Sequence, residues 1–304
     1  MAEQGISIQQ IISHVKHLEI KARKLIEDTL ISEYHSVFKG KGVEFYETRQ
    51  YEIGDDIRDI DWNVTARMNE PYVKTYIEER QLSVIFAVDV SSSTYFGTQK
   101  SKRQRMAEVV ALLGFTSFFN NDRAGLVLFS KEIEKYIPPK KNYSHLLRII
   151  RDTWYYQPIY KTTSLSGSLK KINELFKKRV VIFLISDFLD SGYEKQLISI
   201  AKKHDLIPVV IHDKFEEEII LSGKSKKIEF LKRLPVFLEF EDSELNLCDS
   251  VFYTGDYVTG LTKYREYYIN LFKKFQLDFV QLYTDDNFKP IEIMLKKRMY
   301  RIRM

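Results

Sequence analysis

The stretch LSVIFAVDVSSS, from Leu82 to Ser93, is a nearly continuous apolar run that ends in one acid and three hydroxyls. A strand with one face in water alternates apolar and polar residues. This one does not, so both of its faces are covered. The chain beyond it repeats the theme. RQRMAEVVALLGFTSFF, from Arg103, has the spacing of an amphipathic helix, and RAGLVLFS, from Arg123, is a second apolar strand. The periodicity predicts helices over Tyr143–Thr153, Leu165–Lys177 and Tyr193–His204. It predicts strands at RVVIFLISDF, from Arg179, and DLIPVVIH, from Asp205. Buried strands separated by helices make a doubly wound, mainly parallel α/β sheet with helices on both faces.

The flanks are less regular. Residues Ile8 to Phe38 read as one amphipathic helix, with Ile11, Ile12, Val15, Leu18, Ala22, Leu25 and Ile26 at spacings of three and four. His14 and His17 lie on it without a third ligand nearby and read as surface residues. Gly40 to Gly42 interrupts this pattern, and strands are expected at Val43–Tyr51 and Tyr72–Glu79. Between them sits an acidic run, Asp55, Asp56, Asp59 and Asp61, with Arg58 and Arg67 close by. Residues 1–81 are thus a helical and β-rich extension, and 82–304 an α/β domain, with a core at 82–211 and a completion at 212–304. In the completion, PVFLEFED and VFYTGDY read as a β-pair or an extended excursion, Leu261–Phe275 as a helix, LDFVQLYTD as a strand and Pro290–Met299 as a last helix.

Composition bounds the function. The 304 residues are 44% apolar and 29% charged, enough to bury a sizeable core, and 12 glycines and 7 prolines exclude collagen-like or low-complexity architecture. The single cysteine, Cys248, forms neither an internal disulfide nor a zinc cluster and reads as a partly buried free thiol. The start MAEQGISIQQ lacks the order of a signal peptide, and no apolar run reaches the ~18 residues of a membrane span. A cytoplasmic chain without a transmembrane segment is therefore expected. Phosphate-loop, nucleophile-elbow and H-E-x-x-H patterns do not occur. The net charge of +5 is uneven: 11 basic and 15 acidic residues up to position 81, then 20 and 11 over 82–205. An acidic extension joined to a basic core suits acidic protein partners better than nucleic acid.

In a doubly wound sheet, ligands bind outside the carboxyl ends of the strands. One strand ends in Asp89-Val-Ser91-Ser-Ser93, whose alternation points the three side chains one way if the chain stays extended. Another ends in Ser186-Asp187. Between them TTSLSGSL places Thr162 and Thr163 at a loop-to-helix entry. Hydroxyls and carboxylates without His or Cys are the donors of a hard cation such as Mg²⁺. The competing reading is that Asp89 and the serines only cap a strand-to-helix turn.

The constellation resembles the metal-ion-dependent adhesion site of von Willebrand factor A domains. The resemblance implies metal-binding roles for Asp89, Ser91, Ser93, Thr163 and Asp187, and Mg²⁺ as the ion, with Mn²⁺ or Ca²⁺ as alternatives. Related domains often carry an acid after the threonine. Here it is Ser164, which implies a weakly held or absent ion. Upstream, GKGVEFYETRQYEIGDDIRDIDWNVTAR followed by VKTYIEERQ is similar to the bacterial "domain of unknown function 58" family. Its signature positions here are Gly54, Asp55, Asp56, Arg58, Asp61, Trp62 and Arg67. The resemblance implies a von Willebrand A-type protein working with a MoxR-type AAA+ ATPase or its client in chaperone-like maturation. If Ile57, Ile60 and Trp62 are buried beside it, the acidic run is not a plain solvated face, and the acids with Arg58 and Arg67 are expected to brace the extension against the A-type domain. A carboxylate dyad from Asp55, Asp56 or Asp59 doing acid–base work is the alternative.

The expected function is a non-enzymatic, metal-dependent interaction adaptor. A metal-assisted hydrolase built on Asp89 and Asp187 is the alternative. It lacks a histidine in the three loops to act as general base. Nucleic-acid binding through the basic core is a further alternative without a recognition motif to support it.

Overall fold

The computed structural model describes residues 15–20, 23–24, 39–79, 82–97, 100–214 and 255–302. Lys39–Gln50 (β1) and Tyr72–Glu79 (β2) pair antiparallel as a two-stranded ribbon. β1 runs through Gly40–Gly42, where the sequence suggested a break. The connection holds a 3-10 turn, Ile57–Asp59, and a short helix, Trp62–Met68 (α1). Its acids act on their own turns. Asp56 accepts from the Arg58 amide, and Asp61 accepts from the amides of Asn63 and Val64 as N-cap of α1. Gly54, at φ +116°, makes the turn that brings Asp55 onto the Glu52 amide and the Arg49 guanidinium, 2.6 Å away. Lys74 pairs with Asp61 at 3.5 Å.

These pairs lie inside the extension, which corrects the expectation that they brace it against the α/β domain. Arg58 and Arg67 make no ion pair among the described residues. Ile57 and Trp62 are not buried either; they are 67% and 66% exposed, and α1 buries no residue. The reason is geometric. The acids are used as caps, so the turns close on themselves and their apolar side chains point outward.

The α/β domain follows in the order Ser83–Asp89 (β3), Lys102–Phe119 (α2), Arg123–Phe129 (β4), Ile133–Lys140 (β5), Tyr143–Tyr155 (α3), Leu165–Leu175 (α4), Val181–Ser186 (β6), Glu194–Lys203 (α5), Asp205–His212 (β7), Gly255–Lys274 (α6), Val280–Tyr283 (β8) and Lys289–Ile302 (α7). The six strands lie in the order β5-β4-β3-β6-β7-β8, all parallel except β5. The core sits on both faces. Val84, Phe86 and Val88 of β3 pack with residues of α2, α3 and α7, while Ile85 and Ala87 face α4, α5 and α6. This is the doubly wound, mainly parallel α/β architecture expected from Leu82 onward. Val15 and Leu18 of the helical segment 15–20 join the α2 face.

Strand β5 has no counterpart in the sequence reading. IEKYIPPK contains Pro138 and Pro139, which a sheet tolerates only at an edge. Gly125 lets it approach: a Cβ there would lie 3.0 Å from both the Ile85 side chain and the Pro139 backbone. Gly255–Tyr257, expected in a β-pair or an extended excursion, open helix α6 instead. PVFLEFED, Cys248, His14 and most of the first helix lie outside the described residues.

The start of α2 is charged yet buried. Lys102, Arg103, Arg105 and Glu108 are each no more than 2% exposed. Arg105 donates to Glu108 at 2.9 Å and to the carbonyls of Asp286 and Asn287 at 2.8 and 3.2 Å, with its guanidinium over the Phe288 ring. It thereby ties α2 to the entry of α7. Removing one partner of a buried ion pair costs about 3–5 kcal/mol. Arg105→Ala is expected to lose stability on that scale in urea denaturation, and a loss under about 1 kcal/mol would show that this tie is not structural.

Candidate functional site

Strands β3 and β6 are neighbours at the centre of the sheet, yet the chain leaves them for opposite faces: α2 packs on one side and α5 on the other. At such a point the helices diverge and a crevice opens at the carboxyl ends of the two strands. Asp89 closes β3 there and is fully buried. Its Oδ1 accepts from the Ser91 amide at 2.9 Å, and its Oδ2 accepts from Ser186 Oγ at 2.8 Å. Ser186 Oγ in turn accepts from the Phe188 amide.

Ser91 and Ser93 are brought together by a turn, not by the extended alternation inferred from sequence. The chain enters a 3-10 helix at Ser92–Tyr95, and the two hydroxyls lie 3.2 Å apart. The turn is fixed from below by Arg103. Its Nε and Nη2 donate to Thr94 Oγ1 at 3.1 and 3.0 Å, and the same guanidinium reaches the carbonyls of Val90 and Tyr156. Thr94 Oγ1 donates to the Ser91 carbonyl.

The second loop carries Thr163, half-buried between two anchors. Lys161 accepts from the Ser92 amide at 2.9 Å, and the Ser164 amide donates to the Ser130 carbonyl at 3.1 Å. Ser164 also caps α4 by accepting from the Gly167 amide. In the third loop Asp187 is 2% exposed. Its Oδ2 accepts from Lys102 Nζ at 3.1 Å, and its Oδ1 from the Leu189 amide. Asp190 accepts from the Leu165 amide at 2.7 Å, joining this loop to the first turn of α4. The structure thus brings Asp89, Ser91 and Ser93 to one edge with Asp187, and ties the Thr163 loop to the first of these loops. Gly54, Asp55, Asp56, Arg58, Asp61, Trp62 and Arg67 belong to the separate ribbon.

Burial, reinforced by the neighbouring charge of Asp187, pushes the Asp89 carboxyl up to about 6. Burial likewise raises Asp190. Asp89 is therefore a carboxylate whose charge the fold leaves poorly solvated. The donors around it are all oxygen, and among the described residues no group of three or more His, Cys, Asp or Glu gathers anywhere. A hydroxyl-rich set with two carboxylates fits a hard divalent cation and no soft one.

Sequence reasoning passed over Lys102, Arg103 and Asp190. The run KSKRQR reads as the solvated start of a helix, and only its burial marks Lys102 and Arg103 as parts of the site. Asp190, three residues past Asp187, gave no readable signal: it precedes α5 in the sequence, yet the helix end it bonds is that of the earlier α4, through the Leu165 amide.

The family model described as "Protein of unknown function DUF58" matches residues 47–228. An uncharacterized protein of Mycobacterium tuberculosis is 25% identical over 223 residues, 72% of this chain and 70% of its own. Among solved structures, the conserved hypothetical protein BatB from Bacteroides thetaiotaomicron aligns at 12% identity over 73% of this chain and 98% of that one, with a TM-score of 0.44. An aerotolerance-related membrane protein from Bacteroides fragilis aligns at 14% identity over 72% and 99%, with a TM-score of 0.45. The cytoplasmic expectation is corrected by this likeness to a protein described as a membrane protein. Among the described residues, no helix is long and apolar enough to cross a membrane.

The raised Asp89 has a pH signature. A carboxyl whose folded pKa exceeds its unfolded value stabilises the fold below the unfolded pKa, and that contribution is lost as pH rises through the folded one. In metal-free buffer, Asp89→Asn is expected to gain stability relative to the wild type between about pH 4 and pH 7. Urea denaturation of both proteins across that range reads the difference. A difference that stays flat with pH would mean that the carboxyl bears no such penalty.

Proposed function

The chain belongs to the DUF58 family, and on that premise we propose that it is a non-enzymatic interaction module whose carboxyl-edge site receives an acidic side chain of a protein partner. The observation that supports this reading is the gathering of Asp89, Ser91 and Ser93 with Asp187 at the switch point of the sheet. Mg²⁺, or alternatively Mn²⁺ or Ca²⁺, would be held there by the hydroxyls of Ser91, Ser93 and Thr163 and the carboxylates of Asp89 and Asp187. Such an ion supplies an electrophilic position for a carboxylate oxygen. The partner in this proposal is a MoxR-type AAA+ ATPase or its client, in chaperone-like maturation.

The rest is done by the chain. Arg103 holds the first loop in its turn, and Asp190 holds the third loop to α4. The rim adds contact area. Tyr95, Tyr155, Ile159 and Tyr160 are exposed, and Tyr95 donates to Gln157 Oε1 across the first and second loops. Exposed aromatic side chains around a polar centre are typical anchors of protein interfaces.

Binding is favoured over hydrolysis by the missing base. Residues 90–101, 156–164 and 187–193, which form the three loops, contain no histidine. His212, at the end of β7, is engaged by the Tyr268 hydroxyl at 2.8 Å.

The test is capture of the purified cognate ATPase by wild-type protein, Asp89→Asn and Ser91→Ala, with and without EDTA. Affinity is expected to fall about tenfold or more in each variant and on chelation. Undiminished capture by a folded Ser91→Ala would remove the site from the interaction.

A further inference from the structure

Lys102 is a cation where its local surroundings disfavour one. It is the first residue of α2, at the positive end of the helix dipole. Its side chain is 1% exposed, so the ammonium has lost nearly all of its water. Its position answers the needs of the site instead. Nζ lies 3.1 Å from Asp187 Oδ2, with the Phe96 ring centroid 5.8 Å away. The loop that delivers it is tightly drawn. The Lys102 amide donates to the Phe96 carbonyl at 2.7 Å, and a Cβ on Gly97 would sit 1.9 Å from the Lys100 carbonyl oxygen.

Two carboxylates, Asp89 and Asp187, face this centre, and buried cations already answer them: Lys102 bonds Asp187, and the Arg103 guanidinium acts on Asp89. A divalent ion alone would neutralise Asp89 and Asp187; with Lys102 still in place, its charge would stand in excess inside a buried site that also holds Arg103. The divalent ion and Lys102 also seek the same oxygens, because Asp187 is a donor for either. We propose that Lys102 is the resident cation of this site, a tethered ammonium that competes with a divalent ion for Asp187. The ion then gains its full coordination only when Lys102 withdraws. This rests on the reading of Asp89, Ser91, Ser93, Thr163 and Asp187 as a hard-cation site, and it names the side chain that sets the affinity.

The experiment titrates Mn²⁺ alone into metal-stripped full-length protein, read by electron paramagnetic resonance and by the thermal shift with Mg²⁺. Wild type is compared with Lys102→Met, with Lys102→Gln, which keeps a hydrogen-bond donor toward Asp187 should the methionine variant fail to fold, and with Lys102→Arg, which keeps the charge. The neutral variants are expected to bind Mn²⁺ about tenfold or more tighter than wild type, and Lys102→Arg to stay at the wild-type value. Adding Ser91→Ala to Lys102→Gln is expected to abolish the gain. Equal affinity in wild type and neutral variants, no binding by any of them, tighter binding by wild type, or a gain that survives Ser91→Ala overturns the competition. Because metal is the only probe, a failure here is distinct from a failure of partner capture.

Discussion

The site depends on one register. β3 and β6 run parallel with Val88 beside Ile185, so the next residues along, Asp89 and Ser186, meet and bond. From that contact follow the position of Asp187, its pairing with Lys102 and the shared burial that raises Asp89. Side chains alternate along a strand, so a slip of one residue would send Asp89 to one face and Ser186 to the other. The apolar pairs below, Val84 with Val181 through Ala87 with Leu184, therefore serve the chemistry as much as the core.

Much of this was readable because buried parallel strands lack alternation. Leu82–Val90 and Val180–Ser186 announce themselves by composition, and the acids and hydroxyls that follow them can only lie at the carboxyl edge. The meeting of Ser91 with Ser93 was expected for the wrong reason. Sequence spacing assumed an extended chain, whereas a 3-10 turn held by Arg103 joins them. The outward Trp62 was beyond reach because periodicity cannot tell whether a short turn packs on a neighbour or closes on its own caps. β5 escaped because paired prolines look like a loop until a neighbouring strand is known to be an edge.

The charge distribution illustrates the same limit. The excess of basic residues over 82–205 suggests a positive surface, but the first turns of α2 put Lys102, Arg103 and Arg105 inside, where Asp187, Glu108 and backbone carbonyls engage them. Formal charge counted along the chain therefore overstates what the surface offers to a polyanion. What it records in this segment is the internal wiring of α2 to the loop edge and to α7.

The two ends of the sheet differ in a way that bears on how the molecule tolerates crowding. At one margin β8 is only four residues long. At the other, β5 carries Pro138 and Pro139, two consecutive positions that have no amide hydrogen to give. A strand from another molecule approaching that margin would find a broken ladder. This is a common way in which folded proteins discourage edge-to-edge polymerisation. The same prolines that hid β5 in the sequence thus cap the sheet against uncontrolled growth.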